Sequence, residues 1–439
     1  MPEIRPFRAL RYAPEVVGDL TLVVAPPYDV IDAELLRRLL DRHPKNVVRL
    51  DLPSVELGDE PDERYRRAAR TLAAWRSDGT FHKDPRPAIY VYEQAYEVPG
   101  SGIERTQRGF FARLRLEAFG PDSGVLPHER TLEAPREDRY RLLRATGVNT
   151  SPVVGLFDDA SGSASAILAS IATGRPEIDV TDDDGVAHRL WLAPAEGDHA
   201  ESVSELLRIA AGGAVTIADG HHRYETALRY RDERRMSRSC EEDPAFDYLL
   251  MLFLETSAEP LTVLPTHRVV HGLGAAGLAT LRDGARDLFD VATASRSSLE
   301  TAFGGAETAG GNGRFGLWTR AGGWILTARR EAFATGEASG GPALRELDVT
   351  LLGAALERLA GIDAWAVAGG ERITYTKSVA EALDWVDRSI ADADAAFLLE
   401  PTPVRSISAV AREGDVMPQK STYFYPKALT GLVINPHEW

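Results

Sequence analysis

The feature that most constrains this chain is an apolar strand that ends in a polar turn and continues at once into a helix. Val215, Ile217 and Ala218 are apolar, and they lie between the glycine pair at 212–213 and the dipeptide Asp219-Gly220. Glycine pairs and Asp-Gly steps are strong turn signals. After the turn, apolar residues recur at helical spacing over 224–228. The pattern predicts a buried strand, a tight turn and an amphipathic helix.

The turn itself carries His221, His222 and Arg223 at the predicted start of the helix. Backbone N–H groups at a helix start have no partner within the helix, and the helix dipole there favours an anion. A guanidinium adds a bidentate grip on phosphate. Polar residues at such a position can serve only as caps. Two imidazoles and a guanidinium exceed what capping requires, so we expect a phosphate-handling site.

Composition limits the partners of such a site. The chain has 439 residues with a formal net charge of −16 at pH 7, and 44% of its residues are hydrophobic. That length allows one large domain or two ordinary domains with proper cores. Proteins that bind the phosphate backbone of nucleic acid normally present a basic surface. The acidic balance therefore argues against nucleic acid as the main partner.

The chain contains one cysteine, Cys240, so it has neither a disulfide framework nor a cysteine metal cluster of its own. The N-terminal residues lack the apolar stretch of a signal peptide, and no apolar run approaches the roughly 18 residues that span a bilayer. We therefore expect a cytoplasmic protein with no membrane partner. Basic charge is almost entirely arginine, and the lysines are Lys45, Lys83, Lys377, Lys420 and Lys427.

Local patterns predict both helices and strands. Periodicity and capping signals predict helices over 33–42, 63–77, 136–146, 201–211 and 347–359. Alternating or β-branched runs predict strands over 88–96, 105–116, 151–157, 189–192, 246–254, 315–318 and 324–326. Hairpins and helices are mixed without a regular alternation, which is typical of an α+β fold with mixed sheets and packed helices. We expect a main α+β domain over 1–290 and a C-terminal α+β region over 291–439 that closes over the site.

Four other polar segments are candidates for function. Asp29 follows a rigid Pro-Pro-Tyr segment and is placed to act as a base or to hold magnesium. His128 and Glu129 lie together in a polar loop, where functional residues concentrate. Arg268 follows a predicted strand, and Lys420 lies beside two hydroxyl residues in a dense C-terminal segment, so both are candidate anion contacts. A strand end, an exposed turn or a packed aromatic strand would be the ordinary alternatives.

Six motifs follow one another along the chain: PPYDVI at 26–31, HE at 128–129, NTSP at 149–152, ADGHHRY at 218–224, PTHR at 265–268 and MPQKSTYF at 417–424. Together they resemble the prokaryotic family known as domain of unknown function 1015, over essentially the whole chain. The family name alone implies no activity.

The turn from Asp219 to Arg223 is also similar to the phosphate-binding motif of the ParB/sulfiredoxin superfamily, which implies a core of that kind. Free L-serine kinases of that superfamily carry Asp-Gly-His-x-Arg at the related turn and grip nucleotide phosphate with it. Sulfiredoxin needs a cysteine in the turn, where this chain has His221. ParB proteins pair the turn with a DNA-binding helix-turn-helix and usually a basic surface, which the net charge of −16 does not match. The kinase branch fits best.

The resemblance implies a phosphotransferase that phosphorylates the hydroxyl of free L-serine or a similar small metabolite, with a nucleotide or polyphosphate donor and Mg²⁺. The residues expected to bind phosphate are Gly220, His221, His222, Arg223, His128, Arg268 and Lys420. The candidates for the base that accepts the hydroxyl proton, or for a magnesium ligand, are Asp219, Asp29 and Glu129. The sequence does not choose among the three carboxylates.

Two other functions stay open at this point. One is a nucleotide-binding switch that changes conformation without turning over a metabolite. The other is a metal-dependent hydrolase, in which His128, Glu129 and the histidine pair at 221–222 hold a metal such as zinc. Product nucleotide that forms only with a hydroxylated acceptor would separate the kinase from the switch, and the metal content of the purified protein would separate the kinase from the hydrolase.

Overall fold

The structure is a computed structural model, and it describes residues 1–131, 133–237, 242–257, 261–305, 313–334, 340–363 and 372–439. Cys240 lies outside the described residues. The strands are β1 (Ile4–Arg5), β2 (Leu10–Tyr12), β3 (Phe81–Lys83), β4 (Ala88–Glu97), β5 (Glu104–Arg115), β6 (Val125–Leu126), β7 (Val148–Asn149), β8 (Val153–Phe157), β9 (Ile178–Thr181), β10 (Ala187–Pro194), β11 (Val215–Asp219), β12 (Tyr248–Glu255), β13 (Thr262–Leu264), β14 (His267–His271), β15 (Phe289–Ala294), β16 (Arg314–Thr319), β17 (Gly322–Ala328), β18 (Ile373–Thr376), β19 (Ala393–Leu398), β20 (Tyr423–Tyr425) and β21 (Asn435–Pro436).

The helices are α1 (Pro14–Val17), α2 (Ala33–Arg42), α3 (Val48–Asp51), α4 (Glu63–Ser77), α5 (Glu133–Thr146), α6 (Ser163–Ile171), α7 (Ala200–Ala210), α8 (His221–Ser237), α9 (Gly274–Leu288), α10 (Arg296–Phe303), α11 (Arg330–Ala334), α12 (Pro342–Arg345), α13 (Asp348–Ala360), α14 (Val379–Asp387) and α15 (Val404–Arg412). No helix in the described ranges combines the length and the apolar character that crossing a bilayer requires.

The larger sheet is mixed and has nine strands within the described residues. Its order is β6-β11-β8-β12-β5-β4-β10-β9, and β1 pairs with β5 at the side of this path. The pairs β6–β11 and β8–β12 are parallel, whereas the other pairs of this sheet are antiparallel. Helices α5, α6, α7 and α8 pack on one face of this sheet, where Phe110 and Met251 meet Leu206 and Tyr224 in one apolar cluster.

The smaller sheet has the order β15-β17-β16-β19-β14-β18 and is antiparallel throughout. Its apolar face and the second face of the larger sheet contribute to one continuous core, in which Tyr90 and Leu252 belong to the same cluster as Phe315 and Phe397. The smaller sheet takes strands from both sides of position 290, and the predicted division of the chain at that position stays a prediction.

The structure confirms the α+β class and most of the predicted elements. The strand, the turn and the helix at 215–237 form as the pattern indicated. Helices α2 and α4 have the predicted bounds, and Asp32 caps α2 because its carboxylate accepts a hydrogen bond from the Leu35 N–H at 2.8 Å. The strands predicted over 88–96 and 105–116 form as β4 and β5, and they pair as an antiparallel hairpin with Tyr90 opposite Phe111.

The C-terminal segment returns to the larger sheet and is held there by a buried arginine. Arg113 on β5 is 1% exposed, and its Nε donates to the Asn435 side chain at 2.6 Å. Its Nη2 donates to the carbonyls of Pro436 at 2.6 Å and Glu438 at 2.9 Å. This anchor matters for function because the residues that precede it in the chain, 417–427, reach the candidate site.

We expect Arg113→Ala to lower the free energy of unfolding by about 3 kcal/mol, since it leaves buried carbonyl and amide acceptors without donors. Arg208→Ala is the matched control, because Arg208 is 70% exposed and its ion pair is with Glu205 one turn away. That control should change stability by no more than about 0.5 kcal/mol. Denaturant unfolding measures both variants, and equal stability of the two would contradict the anchoring role.

Candidate functional site

The turn between β11 and α8 requires glycine at its centre. Gly220 has φ of +90°, a conformation that side chains other than glycine rarely adopt. A Cβ at this position would also lie 2.9 Å from Nε of Arg223. The guanidinium of Arg223 therefore packs directly against the turn, and the turn delivers the strand end Asp219 and the helix start His221 to one place.

Asp219 is the centre of a buried ion-pair cluster. One carboxylate oxygen accepts from Arg223 Nη2 and the other from Lys427 Nζ. The three side chains are only 12–14% exposed. Burial alone would raise the pKa of Asp219, but the charges of Lys427 and Arg223 outweigh it and hold this pKa below its ordinary value. Asp219 is therefore an ionised carboxylate that is already fully engaged, which makes it a poor proton acceptor.

Arg223 points away from open space. Besides Asp219, its guanidinium donates through Nη1 to the backbone carbonyl of Pro152, which precedes β8. The arginine thus connects the turn to the neighbouring strand of the sheet. In this arrangement both of these contacts are with the protein, and they hold the turn in shape.

A cavity of about 760 Å³ opens in front of the turn, between the larger sheet and β18 of the smaller one. It brings together predicted site residues from four separate segments of the chain. Those that line it are Asp29, Glu129, Asp219, Gly220, His221, His222 and Lys420. The other three predicted residues, His128, Arg223 and Arg268, lie behind this lining layer.

His128 joins β11 to the C-terminal segment. It is fully buried, and burial lowers its pKa to about 4, so it is neutral near pH 7. Its Nδ1 must donate to the Ile217 carbonyl, because a carbonyl only accepts, and Nε2 then accepts from the Thr422 hydroxyl at 3.1 Å. The tautomer is fixed, and Thr422 is held at the cavity wall.

His221 is the first residue of α8, and its ring packs edge-on against His128 with centroids 4.6 Å apart. Its Nε2 accepts from the backbone N–H of His128 at 3.2 Å. Burial lowers the pKa of His221 well below its ordinary value, so the ring is neutral and carries its proton on Nδ1. Among the described residues nothing accepts from Nδ1, and His221 lines the cavity. It can therefore donate one hydrogen bond to an anion there, beside the backbone N–H groups of the helix start.

Glu129 has a perturbed acidity. Burial raises its pKa to about 7, against the opposing effects of the Lys420 N–H and the Lys420 charge. Its Oε1 accepts from the backbone N–H of Lys420 at 3.0 Å, and within the described chain no group donates to Oε2. The backbone of Lys420 has φ of +57°, which is uncommon for residues other than glycine. Glu129 is thus a half-buried carboxyl group with one free oxygen and a pKa near neutrality.

Three of the five lysines of the chain, Lys377, Lys420 and Lys427, line this one cavity. Two of them flank the same ring, since Lys377 Nζ lies 3.8 Å and Lys427 Nζ 4.4 Å from the centre of Tyr423. Lys377, Lys427 and Tyr423 were not among the predicted site residues. The signal that could have identified the two lysines is the rarity of lysine in a chain whose basic charge is otherwise arginine. A lysine ammonium is a point charge suited to phosphate oxygens.

Arg268 lies in the layer behind the cavity. It is 4% exposed, sits on β14 directly opposite Tyr375 of β18, and its Nη1 has no hydrogen-bond partner within the described chain. Burial lowers its pKa, with Tyr375 and Glu129 opposing that shift. Its positive charge therefore acts on Glu129 and on the cavity from behind the wall.

Across the described part of the chain, no three His, Cys, Asp or Glu side chains converge as a metal-binding group. Asp29, at the exposed rim of the cavity, makes no hydrogen bond or ion pair with a described residue. Magnesium commonly takes one or two carboxylates together with substrate phosphates. A single free carboxylate beside a cationic cavity fits that mode of binding.

Comparison with known protein families identifies the chain. The family described as a protein of unknown function, DUF1015, matches residues 4–350. The chain belongs to the DUF1015 family. The matched range of this DUF1015 protein includes the turn, Asp29, Glu129 and Arg268, whereas the three cavity lysines follow it in the sequence. Comparison with curated proteins gives no match.

Solved structures include distant neighbours of this DUF1015 protein. A free serine kinase in complex with AMP is 12% identical, with a TM-score of 0.36 over 75% of this chain and 90% of that one. A conserved hypothetical protein from Pyrococcus furiosus is 12% identical, with a TM-score of 0.34 over 72% and 90%. SbnI with a C-terminal truncation, from Staphylococcus aureus, is 12% identical, with a TM-score of 0.35 over 73% and 87%. At these scores the likenesses establish no shared activity.

We expect Glu129→Gln to stabilise the protein above pH 7. The Glu129 carboxyl group binds a proton more tightly in the folded state than in the unfolded state, where its pKa is near 4.5. Its contribution to the free energy of unfolding is therefore lost as the pH rises from 4.5 to 7. Glutamine keeps the acceptor for the Lys420 N–H and carries no charge. The variant should exceed the wild type by about 2 kcal/mol in free energy of unfolding at pH 8.

The same comparison at pH 4.5 should show a much smaller difference, because Glu129 is protonated there when folded. Glu15→Gln is the matched control, since Glu15 is exposed and does not line the cavity. Unfolding by urea at the two pH values measures both variants. A Glu129→Gln protein that is less stable than the wild type at pH 8 would contradict the perturbed pKa.

Proposed function

We propose that this DUF1015 protein is a phosphotransferase, which moves a phosphoryl group from a nucleotide or polyphosphate donor to the hydroxyl of a small metabolite. The observation that carries the proposal is the cavity, where three lysines and a helix start face a carboxyl group with a pKa of about 7. Phosphoryl transfer needs charge neutralisation and positioning more than covalent chemistry. Free L-serine is the first acceptor to test, because the Asp-Gly-His-His-Arg turn resembles that of the free serine kinases.

In this proposal the donor phosphates lie against the start of α8. The backbone N–H groups of the first helical turn, the His221 Nδ1–H, and the ammonium groups of Lys420 and Lys427 surround them. Asp219 and Arg223 keep the turn and Lys427 in place through their ion pairs. Two of the proposed phosphate ligands of the sequence, Arg223 and His128, thus serve as positioning residues.

Glu129 is the best candidate for the base among the three carboxylates. The acceptor hydroxyl transfers its proton to the free carboxylate oxygen of Glu129 while the hydroxyl oxygen forms a bond to the phosphorus of the donor. The bond between that phosphorus and the bridging oxygen of the donor breaks, and the leaving phosphate takes up negative charge beside the lysines. Asp219 is unsuited to the role because Lys427 and Arg223 engage both of its oxygens.

Magnesium would be held by the Asp29 carboxylate together with the donor phosphates, and it would supply further neutralisation of charge. Asp29 lies at the rim of the cavity in the turn Tyr28–Val30, which the rigid Pro26-Pro27 segment precedes. Asp29 fits this role because its carboxylate has no partner among the described residues and lines the same cavity as three lysines, whose ammonium groups attract the donor phosphates.

The test is a screen of phosphate donors against free amino acids and polyols, with product masses read by mass spectrometry. The proposal expects a phosphorylated acceptor and one equivalent of spent donor, formed only when both substrates are present. Donor that binds but is never consumed would replace the proposal with a nucleotide-binding switch. Donor that is hydrolysed at the same rate without any acceptor would favour a hydrolase.

We expect kcat/KM to rise with pH up to about 7 and then level off, because the base must be deprotonated before it can accept a proton. Glu129→Gln should lower kcat by roughly 10²–10⁴-fold and leave donor affinity unchanged. Steady-state rates over pH 5–9 and donor binding by calorimetry measure the two effects. A variant with wild-type kcat would rule out Glu129 as the base.

We expect Lys420→Met to weaken donor binding about tenfold, the equivalent of about 1.4 kcal/mol, because it removes one ammonium group from the cavity. The backbone N–H that Lys420 gives to Glu129 remains in the variant. Lys45→Met is the matched control, since Lys45 lies outside the cavity and pairs with Asp78. Equal donor affinity in both variants would contradict a role for the Lys420 ammonium group in donor binding.

A further inference from the structure

A second cavity, of about 790 Å³, adjoins the first one. Lys377 and Tyr423 line both cavities, so these two residues form a shared wall. Its volume falls within the range of roughly 300–1,000 Å³ that small-molecule sites occupy. A ligand that passes Lys377 would have one part in each cavity.

The two cavities differ in the charged groups that line them. Lys377 lines both, whereas the ammonium groups of Lys420 and Lys427 line only the first. The second contains apolar and aromatic side chains together with acidic ones. Its apolar walls include Leu264, Pro265, Phe303, Val379 and Tyr425.

The acidic groups of the second cavity are Glu97, Asp184 and Glu300. Glu300 pairs with Arg296 at 3.0 Å, whereas Glu97 and Asp184 form no ion pair with a described residue. A free carboxylate accepts hydrogen bonds from hydroxyl and amino groups and repels phosphate. The pair of cavities therefore favours a ligand with phosphate at one end and a flat, hydroxyl- and amine-bearing group at the other.

We propose that the second cavity binds the nucleoside part of the phosphoryl donor, which makes the donor a nucleotide instead of an inorganic polyphosphate. The sugar hydroxyls and an amino group of the base donate to Asp184 and Glu97, and the base packs on the aromatic walls. The phosphate chain extends past Lys377 toward the start of α8. This proposal rests on the proposed function, because it requires phosphate binding in the first cavity.

The test is to fill the second cavity while leaving the first one unchanged. Ala380 is exposed, is the second residue of α14 and lines only the second of the two cavities. Ala380→Trp should weaken binding of ADP by at least about tenfold and change binding of inorganic pyrophosphate by less than about twofold. Titration calorimetry on the full chain measures both ligands.

Ala275→Trp is the matched control, since Ala275 is an exposed second residue of α9 that lines neither cavity. It should bind both ligands as the wild type does. Asp184→Asn is a second variant, which changes an exposed side chain without changing its size. It should weaken the binding of ADP several-fold and leave the binding of pyrophosphate unchanged.

Wild-type affinity for ADP in both Ala380→Trp and Asp184→Asn would overturn the nucleoside site and leave the phosphotransferase proposal standing. If the wild type binds ADP no more tightly than pyrophosphate, the nucleoside site is likewise overturned and the phosphotransferase proposal stands. A wild-type protein that binds neither ligand would instead overturn the proposed function, and the nucleoside site with it.

Discussion

The ion-pair cluster of Asp219, Arg223 and Lys427 is the interaction on which the site depends. It joins the end of β11 and the first turn of α8, which follow each other in the sequence, to Lys427 of the C-terminal segment, 208 residues beyond Asp219. Removing one member of a buried ion pair leaves an uncompensated charge, which is strongly destabilising. The cluster therefore fixes a single geometry in which Gly220 is tightly turned and the Lys427 ammonium faces the cavity.

The same cluster separates the roles of the carboxylates. Asp219 lies between two cations and stays ionised, while burial raises the pKa of Glu129 to about 7. Two acidic side chains in one cavity thus have opposite protonation behaviour near neutral pH, which is the arrangement that general acid–base chemistry uses. The raised pKa of Glu129 lowers the free energy of unfolding at neutral pH. Such a loss of stability is common at positions where a side chain is arranged for activity.

Local signals in the sequence were sufficient for most of the secondary structure. The cap Asp32 and the apolar stripe of α4 mark their helices directly, and the Asp-Gly step marks the turn before α8. Pairing between strands that are distant in the sequence could not be predicted, because nothing local indicates that β8 and β12 are parallel neighbours or that the tail returns to β7. Those pairings depend on contacts between distant residues.

The candidate site shows the same limit. Glu129, Lys420 and His221, which belong to motifs that the sequence shows, line the cavity, and their roles in a reaction stay predictions. Lys377 lies just after the edge strand β18 without any motif around it, and only the fold brings it to Tyr423. Arg223 illustrates a different point. Its four-residue separation from Asp219 already allows an ion pair, and in the structure that pair takes up the guanidinium expected to bind phosphate.

A crystal structure of the full chain with a bound nucleoside diphosphate would show where the donor phosphates lie. We expect phosphates within hydrogen-bond distance of the N–H groups at the start of α8 and of the Lys420 and Lys427 ammonium groups, with Glu129 facing the terminal phosphate. Phosphates bound outside this cavity, with the lysines left in contact with solvent alone, would contradict it.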